Sequence, residues 1–160
     1  MNAMLLLLAL PTVTVRGTGD VEGVVTLPIP VETLRAKLVD PQFLPRVSGD
    51  GTTVTVAGRE GDCLILDSVS PSSVVEVRYR VRRCPTATGF HIALVSSPSF
   101  DAYSTEIRLS PAGAGTELRY HLRVDPSFPV PAFVINSGTR DGIDRLLRGL
   151  EAWVAAHPAG

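Results

Sequence analysis

Three histidines, three tyrosines, two cysteines and a scatter of carboxylates are the side chains of this 160-residue chain that could carry chemistry. His91, His121 and His157 lack the short spacing that sets two imidazoles on one metal ion, so no metal site is expected. His121 falls on the polar side of an alternating segment, and His157 falls at the end of a helical pattern. His91 lies in GFHIALVSS, apolar on both faces, where a satisfied or solvated histidine is favoured over a general base. Glu22 with Asp20, and Glu60 with Asp62, read as turn carboxylates. Neither G-x-S-x-G nor H-E-x-x-H occurs, and Gly113-Ala114-Gly115 reads as a hairpin turn, not a phosphate cradle.

The cysteines say more. Cys63 opens one strand-like segment and Cys84 closes the next. A hairpin turning near Ser72-Ser73 brings them opposite one another, where a bridge forms if the local geometry permits. A Cys63–Cys84 disulfide in an exported protein is the expectation, since a reduced cytoplasm would leave two ordinary thiols.

Strands must position these groups. Asp20 to Leu27, rich in Val and Thr, reads as a first strand. The period then becomes helical at Val31, Leu34 and Leu38, and Asp40-Pro41 stops that helix. Gln42 to Val47 allows a second short turn or helix. Six strands follow: Thr53 to Ala57, Cys63 to Val69, Val74 to Arg83, Gly89 to Ser96, Ala102 to Leu109 and Glu117 to Val124. Connections this short imply an antiparallel meander. Val75, Val77, Tyr79 and Val81 share one face, against Glu76, Arg78, Arg80 and Arg82 on the other. Leu118, Tyr120, Leu122 and Val124 repeat this against Arg119, His121 and Arg123.

The apolar face needs a cover, and one stretch can supply it. Pro131 suits the first turn of a helix, and no proline follows until Pro158, which leaves about seven turns. Ile143, Leu146, Leu147, Leu150, Trp153 and Val154 form its apolar stripe. Gly138 and Gly142 interrupt it, and are expected either to let that end move or to let the sheet approach closely.

Composition narrows the partners. A chain with 44% hydrophobic residues and a net charge of −1 is a single globular domain without the clustered Lys and Arg of a nucleic-acid surface. The basic run Arg78 to Arg83 reads as the solvated face of a strand. Met4 to Leu10 (MLLLLAL) has the length of a secretory core and is too short to span a bilayer, so no stable membrane insertion is expected. Residues 1–19 are therefore read as a signal peptide or unstructured segment, with a small-x-small site at Gly17-Thr18-Gly19, and residues 20–157 as the domain. A buried strand through Thr12-Val13-Thr14-Val15 is the alternative. Export to the periplasm or medium is expected, with the cytoplasm as the alternative.

Two stretches carry a family resemblance. Pro30-Val31-Glu32-Thr33-Leu34, followed by Leu38-Val39-Asp40-Pro41-Gln42-Phe43-Leu44-Pro45, resembles the first helices of START-like proteins. Val124-Asp125-Pro126, then Val130-Pro131-Ala132-Phe133-Val134-Ile135-Asn136, resembles their entry into the last helix. The START-like, polyketide cyclase (SRPBCC) helix-grip superfamily implies an α+β fold, with a curved antiparallel sheet wrapped around the C-terminal helix and two short helices after the first strand. About seven strands are expected here. It also implies a hydrophobic ligand between sheet and helix.

Strand parity and the first turns of the last helix then select Tyr79, Phe90, Ile92, Leu94, Tyr103, Tyr120, Phe133 and Asn136 as ligand contacts, with Asn136 equally suited to a backbone hydrogen bond. The expected function is binding or carriage of a lipid, sterol or quinone-like molecule, without a cofactor. The alternative is a polyketide cyclase or aromatase, which would need His91, Tyr79, Tyr103 or Tyr120 inside the cavity. A third is an interaction protein that uses Arg78, Arg80, Arg82, Arg119 and Arg123 on the outer face. Oligomeric state leaves no trace in the sequence.

Overall fold

The structure, a computed structural model, describes residues 10–71 and 76–158. Strands β1 (Thr12–Gly17) and β2 (Asp20–Leu27) are followed by helices α1 (Val31–Leu38) and α2 (Phe43–Ser48). Strands β3 (Thr53–Glu60), β4 (Cys63–Ser70), β5 (Val77–Pro85), β6 (Gly89–Ser96), β7 (Phe100–Ala112) and β8 (Gly115–Pro126) precede the 25-residue helix α3 (Ala132–Ala156). The eight strands make one antiparallel sheet in the order β1-β2-β8-β7-β6-β5-β4-β3.

The meander from β3 to β8 is the arrangement that short connections favour, and β2 closes onto β8 with Val21 opposite Leu122 and Val25 opposite Leu118. Strand β1 is the addition to the expected count. It pairs with β2 from Thr12 to Gly17, and Val13 and Val15 pack against the core. Ordered structure therefore begins ahead of Asp20, in the Thr12 to Val15 strand that was the alternative for this region. The run Met4 to Leu10 falls almost wholly outside the described residues, as do Ser72-Ser73 and the first residues of the Val74 to Arg83 segment.

Helix α3 crosses the concave face. Ile143, Leu146, Leu147, Leu150 and Val154 are buried, the stripe that the periodicity marks. Trp153 at its flank meets Phe43 of α2 edge to face at 5.0 Å. The helix lies so close to β2 that a Cβ on Gly23 would stand 2.5 Å from Ile143 Cγ2 and 2.9 Å from Leu147 Cδ1. Leu34, Leu38 and Phe43 plug the end of the core beneath this half of the helix.

The outer face is wet, as alternation requires. Arg80 bonds Asp67 through two nitrogens at 2.7 and 2.9 Å, and Arg82 pairs with Glu60 at 2.6 Å. Arg119 meets Glu22 and Glu117, Arg123 meets Asp20, and Arg78 meets Glu76. Each of the five outer arginines offered for an acidic partner thus already has a carboxylate beside it. Exposed pairs of this kind contribute little stability, but they leave no uncompensated stripe of charge.

Candidate functional site

The two halves of α3 differ in what they put on the sheet. From Ile143 onward, branched side chains fill the space. Before it stand Gly138, Thr139 and Gly142, and a Cβ on either glycine would find nothing within 4 Å. Small residues there leave a cavity of about 490 Å³ between the first half of α3 and the inward face of β4 to β8. Both glycines line it and are also exposed, so the cavity opens alongside the helix. The glycine pair does not admit a close approach of the sheet; it makes room instead.

Most of the wall surface is apolar, with aliphatic side chains such as Leu66, Val81, Leu122 and Leu146. One end is aromatic: the Tyr79 and Tyr103 rings lie 4.8 Å apart, and Phe100 stands 5.6 Å from the first and 5.4 Å from the second. Polar groups make up the smaller share of the surface. Thr52 and Ser70 share a hydrogen bond of 2.8 Å at the rim, where Asp40 and Asp50 are exposed. Thr105, two residues along β7 from Tyr103, is buried with a hydroxyl that lacks a well-formed partner among the described residues.

Four sequence-selected residues, Tyr79, Ile92, Tyr103 and Tyr120, stand on the cavity wall. The other four stand elsewhere. Phe90 is buried in the core, and Leu94 lies opposite Val81 on the inward face without reaching the cavity. Phe133 is 74% exposed. It precedes Gly142 by nine residues, about two and a half turns, and so points away from the cavity. Asn136 accepts a hydrogen bond from the Gly19 backbone N–H at 3.0 Å, tying the β1–β2 turn to the start of α3. That is the backbone role weighed for it.

Arg83 is the residue that sequence reasoning missed. The run from Arg78 was expected to be solvated throughout, yet Arg83 is 6% exposed and lines the cavity. Its guanidinium lies 4.0 Å above the Phe90 ring, and Nη2 donates to the Leu38 carbonyl at the end of α1. The signal was present: Arg82 and Arg83 are adjacent, so strict alternation must turn one of them inward beside Tyr79 and Val81. Burial lowers the Arg83 guanidinium to about 10, which leaves it charged at neutral pH.

Burial likewise pushes Tyr120 up to about 12 and Tyr103 well above the ordinary phenol value. Both therefore donate protons in hydrogen bonds at neutral pH and do not act as bases. A near-ultraviolet titration should show phenolate from Tyr120 only near pH 12, whereas the unfolded chain should titrate near ~10. Full ionisation of all three tyrosines near pH 10 in the native protein would contradict this placement.

The histidines stay outside. His91 is exposed on the outer face, His121 faces Asp20 there, and His157 stacks on Trp153 at 4.6 Å. Cys63 and Cys84 form a disulfide with their Cα atoms 4.2 Å apart, one step beyond the Leu64 and Arg83 pair in the register of β4 and β5. Among the described residues no group of three or more His, Cys, Asp or Glu side chains could hold a metal ion, and no helix is long and apolar enough to cross a membrane.

A curved antiparallel sheet, a C-terminal helix held across it and an apolar chamber between them define a START-like helix-grip domain. The chain belongs to the family described as polyketide cyclase / dehydrase and lipid transport, whose profile matches residues 18–155. Among solved structures it is similar to a START superfamily protein from Mycobacterium smegmatis, with a TM-score of 0.75 and 18% identity over 86% of this chain and 97% of that one. It is also similar to the Zhui aromatase/cyclase from Streptomyces sp. R1128, with a TM-score of 0.66 and 14% identity over 90% and 94% of the two chains. A STAR-related lipid transfer protein from Xanthomonas axonopodis matches with a TM-score of 0.66 and 12% identity over 92% and 94%. Likeness at these identities concerns the fold. No curated protein matches the sequence significantly.

Proposed function

We propose that the protein binds and carries an apolar small molecule, of lipid, sterol or quinone-like character, in the chamber between the sheet and α3. The observation that carries this is the cavity itself: about 490 Å³, walled mainly by aliphatic and aromatic side chains and open beside Gly138 and Gly142. That volume falls in the range of roughly 300–1,000 Å³ typical of small-molecule sites. Tyr79, Ile92, Tyr103 and Tyr120 contact the ligand, the aromatic rings supplying area and the hydroxyls orienting a polar group. The family description and the lipid-transfer neighbour support the same use.

Native mass spectrometry of protein purified from its own host, with solvent extraction of what travels with it, should find one apolar ligand per chain. Gly142→Leu fills the opening with four carbons on a surface that tolerates them, and should weaken uptake of a neutral fluorophore roughly tenfold or more while the fold stays intact. A protein that yields no extractable ligand and takes up no fluorophore would exclude the carrier function.

Cyclase or aromatase chemistry is the second function, favoured by the three tyrosines on the wall and by the aromatase/cyclase neighbour. It ranks below binding because the histidines lie outside, the buried phenols of Tyr103 and Tyr120 hold their protons, and the lining carboxylates, Asp40 and Asp50, stand at the exposed rim. Export is proposed on the strength of the Cys63–Cys84 disulfide, which persists in oxidising compartments. A cut at Gly17 to Gly19 would strip β1 from β2, so the intact mass of the mature chain bears on both matters.

A further inference from the structure

We propose that the cavity is built for a ligand carrying one carboxylate on an apolar body, and that Arg83 is the group that receives the carboxylate. This deepens the proposed binding function and rests on it. Arg83 reaches the cavity from β5, where the other inward positions of the strand are Val77, Tyr79 and Val81. A guanidinium at 6% exposure has lost most of its hydration, and such a charge is ordinarily kept only beside an opposite one. Among the described residues no carboxylate pairs with it.

Its partners, the Leu38 carbonyl and the Phe90 ring, are both neutral. They fix the guanidinium in place and use one nitrogen, and the remaining donors of the fork are left for an acceptor in the cavity. The carboxylates on the cavity rim are otherwise engaged. Asp40 accepts from the Gln42 backbone at 2.9 Å and faces Arg46 at 3.6 Å, and Asp50 accepts from the Thr52 backbone at 2.8 Å. Tyr120, which acts on Arg83 together with Asp40, is a neutral donor at physiological pH.

Among the described residues Arg83 is therefore a buried positive charge that no carboxylate contacts, with Asp40 and Asp50 held at the exposed rim of the cavity. A carboxylate matches that fork through two parallel hydrogen bonds, whereas a sterol hydroxyl or quinone carbonyl would leave the charge uncompensated. A flexible fatty acid and a flat aromatic acid share this chemistry.

The test uses the full disulfide-bonded chain loaded with the neutral fluorophore N-phenyl-1-naphthylamine, displaced by dodecanoate, dodecan-1-ol, 2-naphthoate or 2-naphthol. At least one acid should displace the fluorophore at roughly tenfold lower concentration than its own alcohol, the scale of one charge-assisted hydrogen bond. Which acid does so identifies the shape of the body. Arg83→Met should bring acid and alcohol within about threefold of each other, each displacement being scaled by the fluorophore's own affinity for that variant, and Arg83→Lys should restore part of the preference. Alcohols that match or outcompete both acids on the unsubstituted protein overturn the assignment without recourse to any variant. An acid preference that survives Arg83→Met overturns it too. A fluorophore that never binds overturns the carrier function itself, and this assignment with it.

Discussion

Gly149→Ala is expected to destabilise the protein by about 2 kcal/mol or more, although alanine is the better helix former by up to ~1 kcal/mol. The reason is the crossing of α3 over α2. A Cβ on Gly149 would stand 2.0 Å from the Val47 carbonyl oxygen and 2.8 Å from its carbon, and those are backbone atoms of another helix that cannot rotate aside. Relief requires moving α2 away from α3, which would open the packing of Phe43 on Trp153 and of Leu147 and Leu150 on the core. In a chain of this size a loss of that order lowers Tm by roughly 4 to 8 °C.

Gly138→Ala and Gly142→Ala in the same helix should do the reverse. Nothing lies within 4 Å of either added methyl, so the gain in helix propensity of about 0.4–1 kcal/mol each is uncontested. Thermal and urea unfolding of the three single variants provide the check. A Gly149→Ala protein as stable as the other two would mean that α2 and α3 are not in backbone contact. The Gly138/Gly142 double variant also tests the entrance: faster or slower fluorophore uptake would implicate helix motion, and unchanged rates would assign the glycines to space alone.

Reduction of the Cys63–Cys84 bond is the second large effect. The two cysteines are 21 residues apart, and closing a loop of that length removes chain entropy from the unfolded state worth about 3 kcal/mol. The native hairpin would remain paired from Leu64 to Ser70 without the bond, so the loss should appear mainly as easier unfolding. Urea midpoints with and without reductant, and for a Cys63→Ser/Cys84→Ser double variant, should fall together by the corresponding amount. Equal midpoints for the oxidised and reduced chains would show that the bond is absent or energetically idle. Binding offers a second readout, because Cys84 is the neighbour of Arg83 along β5.

Much of this architecture was legible before any coordinates. The alternation in β8 placed Leu118 and Tyr120 inward and His121 outward, and the structure does the same. The stripe from Ile143 to Val154 announced the buried half of α3. Cysteines at the two ends of one hairpin come opposite one another if the local geometry permits, and the register of β4 and β5 does permit it. The cavity was harder. Tyr79, Ile92, Tyr103 and Tyr120 were selected by parity and stand on its wall, while Phe90 and Leu94 share that parity but not its height along the sheet. Phe133 went astray through helical phase: about two and a half turns ahead of Gly142, it falls on the side of α3 that faces away from the sheet.

Periodicity is a local property of the chain. The sequence by itself therefore determined which face of each strand is apolar, where the gripped half of the helix begins, and which cysteines meet. Only the tertiary structure decided that β2 closes onto β8, that β1 lengthens the sheet, and that Arg83 turns from the solvated run into the apolar interior. It also decided where packing stops. A cavity is a place that no side chain fills, and no residue pattern marks it until the distances between sheet and helix are set by contacts made elsewhere, at Gly23 and Gly149 above all.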